Sequence, residues 1–400
     1  MNPVALEKFW ITKARTSTGA ANDDIALDKI RPAVQQLSDL FTVKRPDGTF
    51  PDYAFDPALL AAYGLFFFPQ SYVRARIALD QPMRFRGWRP LPDNDGIVRV
   101  LDLGSGTGPC GLAAASALRE IAPEISIALT ALDHAPAALA TLRQIARETF
   151  PEKLTIETEA VDLRHATHAL NKLPRQHLII AGFATNELFS DHKTLRDWIS
   201  TLRIRLTDDG LLIILEPALR ETATRLQHAA DALVSTPSFF RWAPELSDAP
   251  CPILAEQKYW NHEVRRWSPP QSLEYLNRHL FRDISVLKFA YTALGIAKPS
   301  PLPENPTPFR LVSPLEPLKG RFVFTAVTSG GKKITVDIPT RGLSKSEIKS
   351  LASQWQRGDV AASSTLQPLG QENTFRIPII EEMIPLYRWK DARIANLIKS

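Results

Sequence analysis

Four hundred residues allow two or three domains and at least one full-sized hydrophobic core. With 44% hydrophobic and 23% charged residues, no apolar run long enough for a bilayer and no secretory h-region in "MNPVALEKFWITKARTSTGA", a cytoplasmic, non-membrane chain is expected. Two cysteines, Cys110 and Cys251, are too few and too far apart for a disulfide framework or a zinc knuckle.

Up to about residue 92 the pattern is helical. Leu27, Ile30, Val34, Leu37 and Phe41 recur every three or four residues, and Asp56 ahead of "PALLAAYGLFF" reads as an N-cap with proline in the first helical position. Pro69 is expected to interrupt and restart the chain. Across residues 93–298 short apolar runs alternate with helical stretches, which predicts an α/β domain with a Rossmann-like, doubly wound parallel sheet. Its strands are expected at "VRVLDL", "SIALTAL", "LTIETEAV", "HLIIAGF" and "LLIILEP", with a later pair near "ISVLKFAYTAL". Proline is too frequent in "KPSPLPENPTPFRLVSPLEP" for a helix or a central strand, so residues 299–317 are expected to form an extended linker. Residues 318–400 predict a small, strand-rich, basic domain. There "RFVFTAVT" and "KITVDI" flank "SGGK", whose Gly330-Gly331 pair suits a primed hairpin turn, and Ser344 with Glu347 forms a capping box. From Lys319 onward 13 lysines and arginines face 7 carboxylates, a surplus of 6 beside a net charge of +5 for the whole chain. A polyanion partner and a solvated basic face both fit that surplus.

The stretch "VLDLGSGTGPCGLAAA" at residues 100–115 feeds a strand into a glycine-rich turn that opens a helix. Such a turn lets backbone approach a nucleotide closely, and the helix start supplies free N–H groups. "GTGPCG" matches the dinucleotide spacing of glycines, but the strand ends at Leu103, so the turn begins at Gly104 and the loop is Gly104, Ser105, Gly106, Thr107 and Gly108. Asp102 would repel a pyrophosphate, whereas the positive sulfonium and ammonium of S-adenosylmethionine welcome a carboxylate. Asp133, at the end of the second strand, is placed to hold both ribose hydroxyls. Asp162, after the third, is placed to accept from the adenine amino group. Cys110 reads as a small packing residue of the first helix.

Over residues 95–220 the sequence resembles the class I methyltransferases. "YGLFFFPQSYVRARIAL", "NEL", "LEPAL", "APCPILAEQKYWNHEVRRW", "FRDISVLKFAYTAL" and "RGD", in that order, extend the resemblance to the methyltransferase-like family of small-ribosomal-subunit assembly proteins of bacteria and mitochondria. That resemblance implies S-adenosylmethionine as cofactor, the small ribosomal subunit or its rRNA as partner, and methylation of that rRNA or a non-catalytic assembly role in which the cofactor pocket serves as a checkpoint. Family members commonly carry a cysteine cluster. Here only Cys251 remains, Asn261 stands between Trp260 and His262, and "TAVTSGG" has no cysteine, so no iron–sulfur cluster is expected. His262 is expected to be packed or hydrogen-bonded rather than a metal ligand.

The resemblance also implies that Asn186 and Glu187 of "NEL" face substrate, Asn186 orienting an amino or hydroxyl group and Glu187 accepting a proton. Glu216 is expected either there or as a helix cap. Tyr387, Arg388, Trp389, Lys390 and Arg393 interleave aromatics with cations, which suits RNA contact and equally suits a terminal helix docked on the small domain. Arg321, Lys332 and Lys333 on the hairpin share that ambiguity. A small-molecule methyltransferase with a basic accessory domain is the third functional reading.

Overall fold

Apolar residues at helical spacing build the N-terminal region. The structure, a computed structural model, describes residues 3–42, 53–150, 153–236, 238–255, 259–281 and 283–389. Helices α1 (Pro3–Thr18) and α2 (Asp23–Thr42) pack on each other and on α3 (Pro57–Ala62), which the chain continues into α4 (Phe68–Asp80). Leu27, Ile30, Val34 and Leu37 are all buried on one face of α2. Asp56 caps α3 as expected, accepting from the Ala58 and Leu59 N–H groups. The expected restart at Pro69 does not occur. The chain stays helical from Pro57 to Phe85 through two π-turns, Tyr63–Phe67 and Gln81–Phe85. In the first, the Phe68 N–H donates to the Tyr63 carbonyl five residues back. The widened turn makes room for the Pro69 ring, which would clash in a regular helix.

The central sheet holds β1 (Ile97–Leu103), β2 (Ser126–Asp133), β3 (Leu154–Ala160), β4 (Gln176–Gly182) and β5 (Leu206–Pro217). Between them run α5 (Pro109–Ile121), α6 (Pro136–Thr149), α7 (Thr167–Lys172), the short α8 (Thr185–Leu188) and α9 (His192–Leu202). Helix α10 (Arg220–Ser235) precedes β6 (Phe240–Ala243) and β7 (Glu263–Arg266), and α11 (Gln271–Leu280) precedes β8 (Val286–Gly295). Strand order is β3-β2-β1-β4-β5-β8-β6, with β7 also on β8; β1 to β5 are parallel and β8 runs against β5 and β6. This is the class I methyltransferase fold. Strand alternation divides the core: Val98 and Val100 join α5, α6 and the N-terminal helices, while Leu101 and Leu103 join α9 and α10. The late stretch expected to give two strands is the single strand β8, and its partners β6 and β7 lie outside that stretch.

The second sheet is built from β9 (Thr307–Leu311), β10 (Glu316–Leu318), β11 (Arg321–Thr328), β12 (Lys333–Pro339), α12 (Lys345–Gln354), β13 (Val360–Ser363), β14 (Gln367–Pro368), β15 (Thr374–Arg376) and β16 (Ile384–Tyr387). Its order is β14-β15-β12-β11-β9-β13-β16, with β10 on β11. The proline-rich stretch is therefore not a uniform tether, since β9 lies between β11 and β13. Pro308 is tolerated there because the flanking residues carry the ladder. The capping box of Ser344 and Glu347 is formed, and the hairpin turns on one left-handed glycine, Gly331.

A buried charge network joins the two sheets. Glu263 on β7 receives Arg265 and Arg310, Arg265 also reaches Asp359, and Asn261 links Arg310 to Glu245. The tripeptide "RGD" lies at this junction. Arg357 donates to the Trp260 carbonyl at 2.6 Å, Gly358 (φ +97°) leaves the space that the Glu263 carboxylate fills, and Asp359 takes Arg265. No helix among the described residues is long and apolar enough to cross a membrane.

Candidate functional site

At the carboxyl edge of β1, β2 and β4 a cavity of about 720 Å³ opens beneath the N-terminal helices. Its floor is the glycine loop. Gly104, Gly106 and Gly108 have φ of +70°, +52° and +84°, a conformation that side chains with a Cβ disfavour. The Gly104 and Ser105 N–H groups donate to the Leu132 carbonyl at 2.8 and 3.1 Å, which ties the loop to β2. A Cβ at Gly104 would collide with Ala184 and one at Gly108 with Leu142, whereas one at Gly106 would meet nothing but the cavity. The three glycines thus differ in role: two allow close packing, and the middle one keeps the floor open.

Asp133 stands where expected. It lines the cavity, its Oδ2 accepts from the Gly106 N–H at 2.7 Å, and its Oδ1 accepts from the Ala135 N–H at 2.9 Å. Each carboxylate oxygen keeps further acceptor capacity for a hydroxyl. Ser105 also lines the wall, and its buried hydroxyl has no partner. Asp102 departs from expectation. It is fully buried behind the loop, outside the cavity wall, with Oδ2 accepting from the Gly111 N–H at 2.8 Å and Oδ1 unpartnered. Burial, reinforced by the charge of Asp133, pushes its carboxyl up to about 7. Gly108 likewise sits behind the wall, as the residue before α5. Asp162 reaches the wall, but its carboxylate is turned onto Arg164, which meets Oδ1 at 3.0 Å and Oδ2 at 2.6 Å. Those hydrogen bonds hold its carboxyl down at about 2 and occupy the acceptor sites expected for adenine.

Asn186 and Glu187 both line the cavity after β4. The Asn186 amide donates to the Phe183 carbonyl at 2.6 Å, so its side-chain oxygen is the group left to orient a substrate. Glu216 accepts from Thr185 and ties β5 to α8; it does not cap α10. Cys110 lies against Gly182, and burial drives its thiol far above the usual range, which removes it as a nucleophile.

The roof is the part that sequence reasoning missed. Phe41 of α2, Tyr63, Phe66 and Phe67 of the first π-turn, and Gln70, Ser71 and Arg74 of α4 all line the cavity. Lys288 of β8 and Asp283 line it from the other side. Arg74 lies over the Phe183 ring, 5.6 Å from its centroid, and burial lowers its guanidinium to about 10. No spacing rule marks these residues. A π-turn is not signalled by 3.6-residue periodicity, and nothing in "VRARI" tells that Arg74 lines the cavity while Arg76 pairs with Glu120 at 2.6 Å.

Cys251, Asn261 and the β11–β12 hairpin converge near the junction of the sheets. Cys251 packs with Val312 and Val327, and the Asn261 amide lies 3.8 Å from its sulfur. His262 is hydrogen-bonded, its Nδ1 lying 3.0 Å from the Trp260 carbonyl, and burial lowers it to about 4. Among the described residues no three His, Cys, Asp or Glu side chains come together as a metal-binding group. Of the residues expected to meet RNA, Arg321 pairs with Asp337 at 3.0 Å and Arg388 covers the Trp355 ring at 4.3 Å. Tyr387 and Trp389 are buried, Tyr387 as the last residue of β16 and Trp389 in the cluster of the N-terminal helices and central sheet, while the rest of the expected terminal helix lies outside the described residues. Lys332 and Lys333 stand at the hairpin, Lys332 exposed. Lys390 and Arg393 lie outside the described residues.

Neither a protein-family model nor a curated protein matches the chain. Among matching solved structures, the precorrin-6y C5,15-methyltransferase of Geobacter metallireducens GS-15 is 13% identical, with 55% of this chain and 87% of that chain covered and a TM-score of 0.33. The magnesium protoporphyrin IX methyltransferase of Synechocystis PCC 6803, solved with bound SAM, is 12% identical over 66% of this chain and 96% of its own, with a TM-score of 0.31. TrmN from Thermus thermophilus is 22% identical over 37% and 41%, with a TM-score of 0.26. At these scores the likeness adds nothing to the fold assignment, which rests on the strand order.

Proposed function

We propose that the chain is an S-adenosylmethionine-dependent methyltransferase that acts on the RNA of the small ribosomal subunit during its assembly. The observation that carries the cofactor half is Asp133: a cavity-facing carboxylate at the end of β2, locked to the Gly106 N–H of a loop whose middle glycine is open. Ala135, Val161 and Leu163 line the same cavity with apolar side chains, which suit a purine face. When bound, the cofactor supplies an electrophilic methyl group on a sulfonium. The chain's own part is orientation, with the Asn186 oxygen holding a donor group of the substrate and Glu187 receiving its proton. Arg164 has to yield Asp162 for the adenine contact to form.

Support for the RNA half comes from the basic surplus beyond residue 318 and the order of short motifs shared with the assembly family. The small-molecule reading draws on the helical roof, which narrows the cavity to a compact or extruded group. Calorimetry tests the cofactor: Asp133→Ala is expected to weaken S-adenosylmethionine by roughly 2–4 kcal/mol, and equal affinity rejects the assignment. Transfer of labelled methyl to immature small subunits tests the reaction. Co-sedimentation with the subunits but no transfer would leave the non-catalytic assembly role, and neither result would leave the small-molecule enzyme.

A further inference from the structure

Arg74 is a cation in a cavity wall with no anion to meet. Its guanidinium donates to Gln70 Oε1 at 3.3 Å, its buried Nε has no partner, and among the described residues it pairs with no carboxylate. The contrast with its neighbour lies in the anion: Arg76, two residues on, has an unpartnered Nε as well but pairs with the Glu120 carboxylate. An arginine left partly desolvated and unpaired costs stability, so its retention in a wall asks for an anionic ligand. Its position narrows the choice. Arg74 lies over Phe183, the residue that follows β4, and within electrostatic reach of Cys110 in the first turn of α5. Arg74, Cys110 and Phe183 line the same cavity as Gly104, Gly106, Asp133 and Val161, so an anionic group of one ligand can meet Arg74 while another part of it meets Asp133.

Resting on the cofactor reading above, we infer that Arg74 binds the carboxylate of the methionyl tail of S-adenosylmethionine. Floor and roof then divide the cofactor between them: Asp133 takes the ribose, and Arg74, from the N-terminal helices, takes the far end. Planar guanidinium suits a carboxylate through two parallel N–H donors. Arg74 is a positioning residue, since the carboxylate lies on the far side of the sulfonium from the transferred methyl.

The test compares S-adenosylmethionine with its decarboxylated analogue, which keeps the sulfonium, the amine and the nucleoside. Calorimetry on the full chain should show the wild type binding the intact cofactor about ten- to a hundredfold more tightly than the analogue. Arg74→Gln should lose that preference while binding the analogue as the wild type does, and Arg74→Lys should keep part of it. Retained analogue affinity also shows that the variant is folded. If the wild type binds both ligands equally, or Arg74→Gln still prefers the intact cofactor, the inference is overturned while the cofactor reading stands. If the wild type binds neither ligand, both fall. Should Arg74→Gln not fold, Arg74→Lys decides: a preference for the intact cofactor as large as the wild type's overturns the inference.

Discussion

Asp102 and Asp133 face opposite demands although their strands are adjacent. Asp133 looks into the cavity with both oxygens already anchored, and Asp102 is sealed behind the loop with one oxygen unmatched. A carboxyl raised from 3.8 to about 7 holds a proton in the folded chain that the unfolded chain has released. Stability is therefore expected to fall as pH rises from about 4 to about 7 and to level off above that. Asp102→Asn removes this dependence while its side-chain oxygen still accepts from Gly111. Urea unfolding should show the variant gaining on the wild type between pH 5 and pH 8, by an amount on the order of 2–4 kcal/mol. A constant difference between the two proteins across that range would show that Asp102 does not titrate there. The same residue shows where reading the sequence stops. The position of an acid before a glycine loop is legible from spacing, but whether its side chain turns to the ligand or to the helix behind depends on packing. Asp162 repeats the lesson, because Arg164 two residues later captures it, and nothing in "VDLRH" says which partner wins.

Among the elements, β1 to β5 were legible because buried parallel strands read as unbroken apolar runs between helices. Strand β9 was not, because its prolines argue for a linker and only its neighbours' hydrogen bonds make it a strand. The π-turn at Tyr63–Phe67 was hidden for a related reason: it breaks the helical period at the positions that line the cavity. Strand β7 is short, and its worth lies in charge. Glu263 is almost wholly buried between Arg265 and Arg310, which hold its carboxyl below the usual range against the opposing effect of burial. Its contribution is thus present above the ordinary glutamate range and lost as the pH falls below it. Glu263→Gln leaves two guanidiniums without their shared anion and is expected to destabilise the chain by about 3–5 kcal/mol. Thermal unfolding at neutral pH checks this. An unchanged midpoint would mean that Asp359 and Glu245 carry both arginines unaided.

At the scale of the molecule, the network from β7 to β9 and β13 makes the basic domain part of one body with the methyltransferase sheet, so its surface has a fixed orientation relative to the cavity. The charges that remain available for RNA are fewer than the surplus of 6 implies, since Arg321 and Arg376 share Asp337 and Arg388 lies on Trp355. Changing Lys332, Lys333 and Lys390 to Gln, with Arg388 left on Trp355, is expected to weaken binding to small subunits and flatten its salt dependence, by about 0.9 in log–log slope for each duplex phosphate that is no longer neutralised. Binding equal to wild type across the salt range would make this face merely solvated. The cavity wall has a temporal consequence. Its lining residues run from Ser38 to Lys288. A chain emerging during synthesis owns the glycine loop long before it owns β8, and it holds the complete cavity only once roof and last wall have met. A ligand that stabilises only that finished chamber reports completion of the fold, and a partner that recognises the liganded form is thereby spared every unfinished chain.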